Sequence, residues 1–312
     1  MELIRGLHNL RPRHRGCVAT IGAFDGVHLG HQAVLRHVIG KSRELNLPAT
    51  VVVFEPLPRE YFAPEKAPPR LMSFREKFLA LKALGIDRVL RIRFTAAFRD
   101  MGAVEFIKQV FVDGLGAKYI VVGDDLRFGR DRAGDFQLLK KLGGDFGFDV
   151  TATDTITETA ERVSSTRIRQ ALQDSDFALA EQLLGKPYAI TGRVMVGQQL
   201  GRTLGIPTAN LQLRRIRSPL NGVYAVDVRG VNNELLHAVA NVGTRPTIGD
   251  LPKAILEVHL LEFDGNLYNR TLSVIFRHKL RDEQKFTSIE ELKNHIERDI
   301  QNTRHYFGLG HE

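Results

Sequence analysis

The chain has 312 residues, of which 43% are hydrophobic and 26% charged, with a formal net charge of +8. This length is more than one ordinary core can use and points to about two domains, and the composition is that of a soluble globular chain. No apolar run approaches the roughly 20 residues that a membrane helix needs, and the basic clusters RPRHR (11–15) and RRIR (214–217) are too short for a nucleic-acid arm.

In chain order, the opening MELIRGLHNL lacks the apolar core of a signal peptide. CVATIGAF (17–24) reads as a buried strand, and its Cys17, the single cysteine, as a small buried hydrophobe of a reducing cytoplasm. HQAVLRHVIGKSREL (31–45) has helical spacing, and ATVVVFEP (49–56) is a second apolar strand. In SFREKFLALKALG (73–85), Ser73 and Glu76 form a capping box ahead of a helix that stops at Gly85. Then come the strand RVLRIRF, a helix around GAVEFIKQVFVDGLG, the strand YIVVG, the helix GDFQLLKKLGGDFG and the strand DVTATDTI. Continuous apolar strands separated by amphipathic helices predict an α/β unit of doubly wound type, its parallel sheet covered on both faces.

The pattern changes after DFALAEQLLGKP, so a boundary is expected near Gly185 to Pro187, with one domain over 1–184 and another over 185–312. From Tyr188 to about His278, five shorter runs alternate with a period of two and are punctuated by Gly and Asn. They predict a small antiparallel barrel or sandwich. A C-terminal helix begins near Ser288, where Ser288 and Glu291 form a second candidate capping box.

The chemistry-bearing stretches of the first half follow strands, at the edge where doubly wound sheets bind ligands. In GAFDGVHLGH (22–31), Gly26 and Gly30 let the backbone approach a ligand. His28 and His31 stand where a helix N-terminus favours anions, which suits the phosphates of a nucleotide. A solvated pair of helix-start histidines is the plainer reading, and a zinc pair lacks the Cys or carboxylate set that would complete it. GDDLRFGRDRAGD (123–135) and RVSSTRIRQAL (162–172) add carboxylates, hydroxyls and guanidiniums, although Ser-Ser-Thr is also plain helix capping. Neither G-x-x-x-x-G-K-[ST] nor G-x-G-x-x-G occurs, which disfavours a P-loop ATPase and a dinucleotide dehydrogenase. In the second half, GRVMVGQQLGRTLGIPTANL (192–211) is either a glycine-rich hairpin or a phosphate wrap whose Thr208 and Asn210 offer neutral oxygens to magnesium. In AILEVHLLEF, alternation sets Glu257 and His259 on one face, and Glu257 is either an exposed strand residue or a base for a hydroxyl.

These motifs together resemble the bacterial FAD synthetases, bifunctional riboflavin kinase/FMN adenylyltransferases, over nearly the whole chain and in the family's order. The resemblance implies a Rossmann-like nucleotidyltransferase domain that joins AMP from ATP to FMN, releasing pyrophosphate. It implies His28 and His31 on the ATP phosphates, with Gly22, Phe24, Gly30 and Asp125 in the same ATP site. Arg162, Ser165, Thr166 and Arg169 would clamp the triphosphate or the departing pyrophosphate. Leu126 departs from the Phe common in the family before R-F-G. NGVYAV, NVGTRPTIG and LEVHLLEFDGNLY resemble the riboflavin kinase module, a six-stranded antiparallel barrel, with Asn266 where an acidic residue is frequent. That likeness implies Gly201, Thr208 and Asn210 at an Mg²⁺–ATP site, Glu257 as base for the ribityl 5′-hydroxyl, and Arg281 on the flavin side. Its implied partners are ATP, riboflavin, FMN and FAD, with no nucleic acid and no membrane. The expected enzyme is cytoplasmic, a monomer or weak homo-oligomer.

Overall fold

The computed structural model describes residues 1–153, 156–158, 161–196, 205–215, 217–232, 234–247 and 250–310. Packing divides the chain into two units, Met1–Pro68 with Phe74–Ser164, and Pro69–Ser73 with Ser165–Glu312. Among the described residues, no helix is long and apolar enough to cross a membrane.

The first unit is built on a parallel sheet of β1 (Glu2–Arg5), β2 (Cys17–Ile21), β3 (Ala49–Phe54), β4 (Arg88–Ile92), β5 (Ala117–Gly123) and β6 (Asp149–Thr153). The strand order is β1-β4-β3-β2-β5-β6. Between them run α1 (Leu29–Glu44), α2 (Pro58–Phe62), α3 (Phe74–Leu84), α4 (Ala96–Asp100), α5 (Ala103–Ile107) and α6 (Phe136–Phe146). Successive strand residues point to opposite faces, and both faces are apolar. Cys17, Val52, Leu90 and Val122 join Phe106, Val110, Phe111 and Leu139 in one core, while Val18, Val51, Val53 and Val121 are equally buried on the opposite pleat. Burial pushes the Cys17 thiol up to about 11, so it stays an inert thiol.

The doubly wound expectation holds, with local differences. The edge strand β1, paired in parallel with β4, has too few residues for a pattern to be legible. The helix expected over 31–45 begins two residues earlier, with His28 as its N-cap. The segment after Ala103 is α-helical only to Ile107 and winds as a π-helix over Lys108–Gly114. Gly85 closes α3 in the left-handed region, at φ 99°. A short ribbon, β7 (Thr157–Glu158) with β8 (Glu161–Arg162), ends the unit.

In the second unit, α7 (Ser165–Gln173) and α8 (Phe177–Leu184) precede a closed antiparallel barrel. The barrel comprises β9 (Ala189–Met195), β10 (Ala209–Gln212), β11 (Gly222–Val231), β12 (Glu234–Thr247), β13 (Asp250–Leu260) and β14 (Thr271–Arg281), ordered β10-β13-β12-β11-β14-β9. Closure removes free edges and decides between barrel and sandwich. The expected division at 184/185 and the break in packing at 164/165 mark different things, because α7 and α8 belong with the barrel. Phe177 and Tyr224 each set a ring within 6.4 Å of Phe276. The segment Pro69–Ser73 is drawn into this unit by Arg215, which donates to the Arg70 and Leu71 carbonyls, and by Arg169, which donates to Pro69 at 2.6 Å. The sixth strand, β10, lies inside the stretch whose glycines suggest a loop, and four residues are too few to announce it.

The last helix, α9 (Ile289–Tyr306), covers part of the barrel's outer face, where Ile300 and Leu309 pack on Val223, Val239 and Leu261. Its cap is half the expected box. Ser288 accepts from the Glu291 N–H, whereas the Glu291 carboxylate reaches back one residue further, to the N–H and hydroxyl of Thr287. Those bonds hold the Glu291 carboxyl below the ordinary range.

One position makes the barrel's closure testable. Gly230 has φ 106° at the irregularity between Val228 and Val231, and a Cβ there would strike the Thr271 carbonyl of β14. Gly230→Ala is therefore expected to cost about 1–3 kcal/mol, read as a lower urea midpoint. Parent-like stability would show that this strand crossing does not need glycine.

Candidate active sites

In the first unit, strand order reverses between β2 and β5, and ligand crevices form outside the carboxyl ends of such neighbours. The chain leaving β2 is Gly22–His28 and the chain leaving β5 begins at Asp124, so two of the three predicted segments meet that edge. The turn after β2 is wound tightly, with positive φ at Phe24 (46°), Gly26 (87°) and Val27 (45°). Left-handed backbone at two non-glycine residues, one of them β-branched, is a strained arrangement of the kind found at ligand sites. A Cβ on Gly22 would lie 3.1 Å from the Phe24 ring, which is itself buried.

This turn delivers the two histidines. The Nδ1 of His28 accepts the His31 N–H at 3.3 Å, capping α1 and leaving Nε2 as the ring's donor. The rings then stack, centroids 3.6 Å apart, with Phe24 5.1 Å from His31. Gly30 is required between them, since a Cβ would stand 3.2 Å from the His28 ring and 3.4 Å from the Val163 carbonyl. Burial, aided by the nearby charges of His28 and Lys77, holds His31 well below the ordinary histidine range. Its ring is therefore neutral at pH 7, and its Nδ1 is buried without a hydrogen-bond partner among the described residues. Lys77 escaped the motif reading, although its place four residues before the buried Leu81 puts it on the inward face of α3.

Arg162 pairs with Asp125 at 2.8 Å and with Asp124 at 3.4 Å. All three are about half exposed. Two predicted site residues thus meet each other rather than standing apart. Ser165, Thr166 and Arg169 lie on α7, and so with the second unit.

On the barrel, β13 alternates as expected, with Leu256, Val258 and Leu260 buried inside and Glu257 and His259 on the other face. Register sets Glu257 directly opposite Asn210 of β10. Thr208, Gly205, Pro207, Asp264 and Asn266 help line a cavity of about 460 Å³. Gly201 lies outside the described residues. The Nδ1–H of His259 donates to the Pro207 carbonyl at 2.8 Å, and burial holds this ring below the ordinary histidine range. A neutral His259 therefore pins the strand entry that carries Thr208 and Asn210, a role that alternation alone could not assign. Arg281 is clamped on buried Asp299, Nε to Oδ1 at 3.0 Å and Nη2 to Oδ2 at 2.8 Å, and lies over the Phe286 ring.

Fold and edge chemistry define a Rossmann-like nucleotide-binding unit followed by a small closed barrel. Comparison with known proteins narrows this class. The FAD synthetase family model matches residues 10–167, and the riboflavin kinase model matches residues 184–307. The bifunctional riboflavin kinase/FMN adenylyltransferase of Pseudomonas fluorescens is 53% identical over 300 residues, covering 96% of each chain. That of Escherichia coli K12 is 51% identical, covering 99% of each. A crystal structure from Streptococcus pneumoniae, described as a macrolide-efflux protein, superposes with a TM-score of 0.77 at 32% identity, over 97% of this chain and 99% of that one. The chain belongs to the bifunctional riboflavin kinase/FMN adenylyltransferase family.

The desolvated His31 ring predicts a pH dependence of stability. The folded chain holds this ring neutral to lower pH than the unfolded chain does, so the unfolded state takes up its proton first, and stability falls as pH drops below about 6.5. His31→Gln removes that contribution. Its melting temperature should fall less between about pH 7 and about pH 5 than the parent's; equal slopes would show that His31 titrates normally.

Proposed function

We infer that this chain phosphorylates riboflavin to FMN and adenylylates FMN to FAD. The observation that carries the reading is the match of two family models, in order, along one chain. The first domain transfers AMP from ATP to FMN with release of pyrophosphate, and the barrel transfers a phosphoryl group from ATP to riboflavin. ATP, riboflavin, FMN and FAD are the substrates and products. The proposed functional division is at 184/185; the riboflavin kinase match over residues 184–307 supports it.

In adenylyl transfer, a phosphate oxygen of FMN attacks the α-phosphorus of ATP, and charge passes to the leaving pyrophosphate. His28, with its proton on Nε2, and the neutral His31 donate hydrogen bonds to the phosphate oxygens as that charge builds. A neutral His31 suits this task because it is a donor that needs no protonation at pH 7. Gly22, Phe24 and Gly30 shape the turn that holds them. Arg162 exchanges its two aspartates for the triphosphate, and Asp125 keeps the guanidinium in place until then. Ser165, Thr166 and Arg169 are assigned to the triphosphate by their motif, as hydroxyl and guanidinium donors.

In phosphoryl transfer, Glu257 accepts the proton of the ribityl 5′-hydroxyl as its oxygen attacks the γ-phosphorus. Thr208 and Asn210, with Gly201, hold the nucleotide phosphates. Magnesium fits this donor set. Among the described residues no group of three or more His, Cys, Asp and Glu could form a dedicated cage, whereas two neutral oxygens beside a nucleotide pocket suit an ion that takes its other oxygens from phosphates and water. When bound, that ion would neutralise charge on the transferred group. Arg281 serves the flavin side by tying the end of β14 to α9. The expected working state is a monomer or weak homo-oligomer in a reducing cytoplasm, consistent with the buried thiol of Cys17, and without nucleic acid, consistent with short, scattered basic clusters.

Incubation with riboflavin, Mg²⁺ and ATP, followed by chromatography of the flavins, tests the whole reading: FMN and then FAD should appear, and unchanged riboflavin would refute it. Glu257→Gln should lower FMN formation by about 10²- to 10⁴-fold while leaving adenylylation of supplied FMN intact. Near-normal FMN formation would remove Glu257 from the role. His28→Ala should accumulate FMN, with FAD formation slowed on the order of 10²-fold or more. Parental FAD formation would remove His28 from the mechanism, and both activities falling with the melting temperature would make it structural.

A further inference from the structure

The outer face of the barrel carries a buried polar atom, on Asn241, that this chemistry leaves unused. Strands β10, β13 and β12 run side by side, and their registers set Asn210 opposite Glu257 and Glu257 opposite Asn241. Directly opposed residues have Cβ atoms about 4.5–5.5 Å apart, so the three form one row across adjacent strands. Their neighbours Leu256, Val258, Ala240 and Val242 turn into the barrel. The Oδ1 of Asn241 is fully buried and has no hydrogen-bond partner among the described residues. Buried amide oxygens are almost always satisfied, because an orphan gives up its water for nothing. Rotating the amide exchanges the two ends without removing the need for a partner.

The surroundings say what kind of group is missing. Two residues before Asn241, Val239 packs beneath Ile300 and Leu309. Two residues after it, Gly243 lies against the Glu283 carboxylate, which Asn221 Nδ2 holds at 3.1 Å. The orphan thus stands between an apolar cover and a carboxylate, one strand away from the proposed base. A hydroxyl meets this requirement, since it can donate to Oδ1 or accept from the amide N–H, whichever end faces it. A substrate with hydroxyls on successive carbons can reach Asn241 and Glu257 together.

We propose that Asn241 binds a hydroxyl of the riboflavin side chain and so aligns the 5′-hydroxyl with Glu257. This rests on the reading of the barrel as a riboflavin kinase. Asn241 is then a substrate-binding residue whose partner arrives with the flavin, which explains an amide kept buried and unpaired in the free protein.

The test uses the full chain and Asn241→Leu, which keeps the volume and removes the amide. Kinase kinetics with riboflavin are read beside binding of lumiflavin, a flavin whose ring carries a methyl group in place of the hydroxylated chain. The expected result is a loss of about 10- to 100-fold in kcat/KM for riboflavin, with lumiflavin affinity and KM for ATP within about twofold of the parent. FMN adenylylation stays parental and the melting temperature does not fall, because a costly orphan has been removed. Asn241→Ala, which cannot clash, should give the same split between the two flavins. The proposal is overturned by parental riboflavin kinetics, by equal losses for riboflavin and lumiflavin, or by a lower melting temperature with both activities reduced in both variants. Failure of the parent chain to phosphorylate riboflavin would overturn the underlying reading instead, and is told apart by the parent's own flavin profile.

Discussion

Burying a polar group among strands without a partner is costly, and this constraint shapes where chemistry is placed in both units. The parallel sheet is covered on both faces, so its strand interiors are mostly Val, Ile, Leu, Ala and Cys17, with the hydroxyls of Thr20 and Thr50 the buried exceptions. The candidate site residues His28, His31, Asp124 and Asp125 accordingly stand where strands end, after β2 and after β5. The barrel obeys the same rule differently. Its interior takes the apolar half of each alternation, and the polar half, Asn210 and Glu257 among it, faces outward.

Within the first unit, the constraint runs through the backbone before it reaches the imidazoles. Left-handed residues at Phe24 and Val27 fold the chain back after β2, Gly30 admits the His28 ring, and the cap on α1 fixes that ring's tautomer. His31 is stacked beneath it and held neutral by burial. The histidine pair expected beside phosphates is thus a preorganised stack in which His31 is held neutral. In the barrel the corresponding device is His259, whose hydrogen bond to Pro207 ties the entry of β10 to β13. The strand that carries Asn210 is only four residues long, so an anchor of this kind matters more there than in the longer strands.

Much of this was legible in the sequence. Long apolar strands such as ATVVVF announce a doubly covered sheet, and the change to a two-residue period after Tyr188 announces the barrel. The inward and outward sides of β13 follow directly from alternation. What sequence could not give were features set by partners distant along the chain. The strands β1 and β10 are too short to carry a period, and each is defined by the strand beside it. The assignment of α7 and α8 to the barrel's unit depends on contacts such as Phe177 with Phe276, not on any change in composition. The pairing of Arg162 with Asp125, and of Arg281 with Asp299, turned motif residues expected to await ligands into residues already engaged with carboxylates.

The central claim is that two chemistries reside on separate groups of residues, one around His28 and one around Glu257, joined by FMN that passes through solution. Mixing equal amounts of the His28→Ala and Glu257→Gln proteins with riboflavin, ATP and Mg²⁺ addresses it directly. Neither protein alone should convert riboflavin to FAD at an appreciable rate, and the account predicts that the mixture does, because each supplies the step the other lacks. A mixture that forms no more FAD than the sum of its two components would contradict that account.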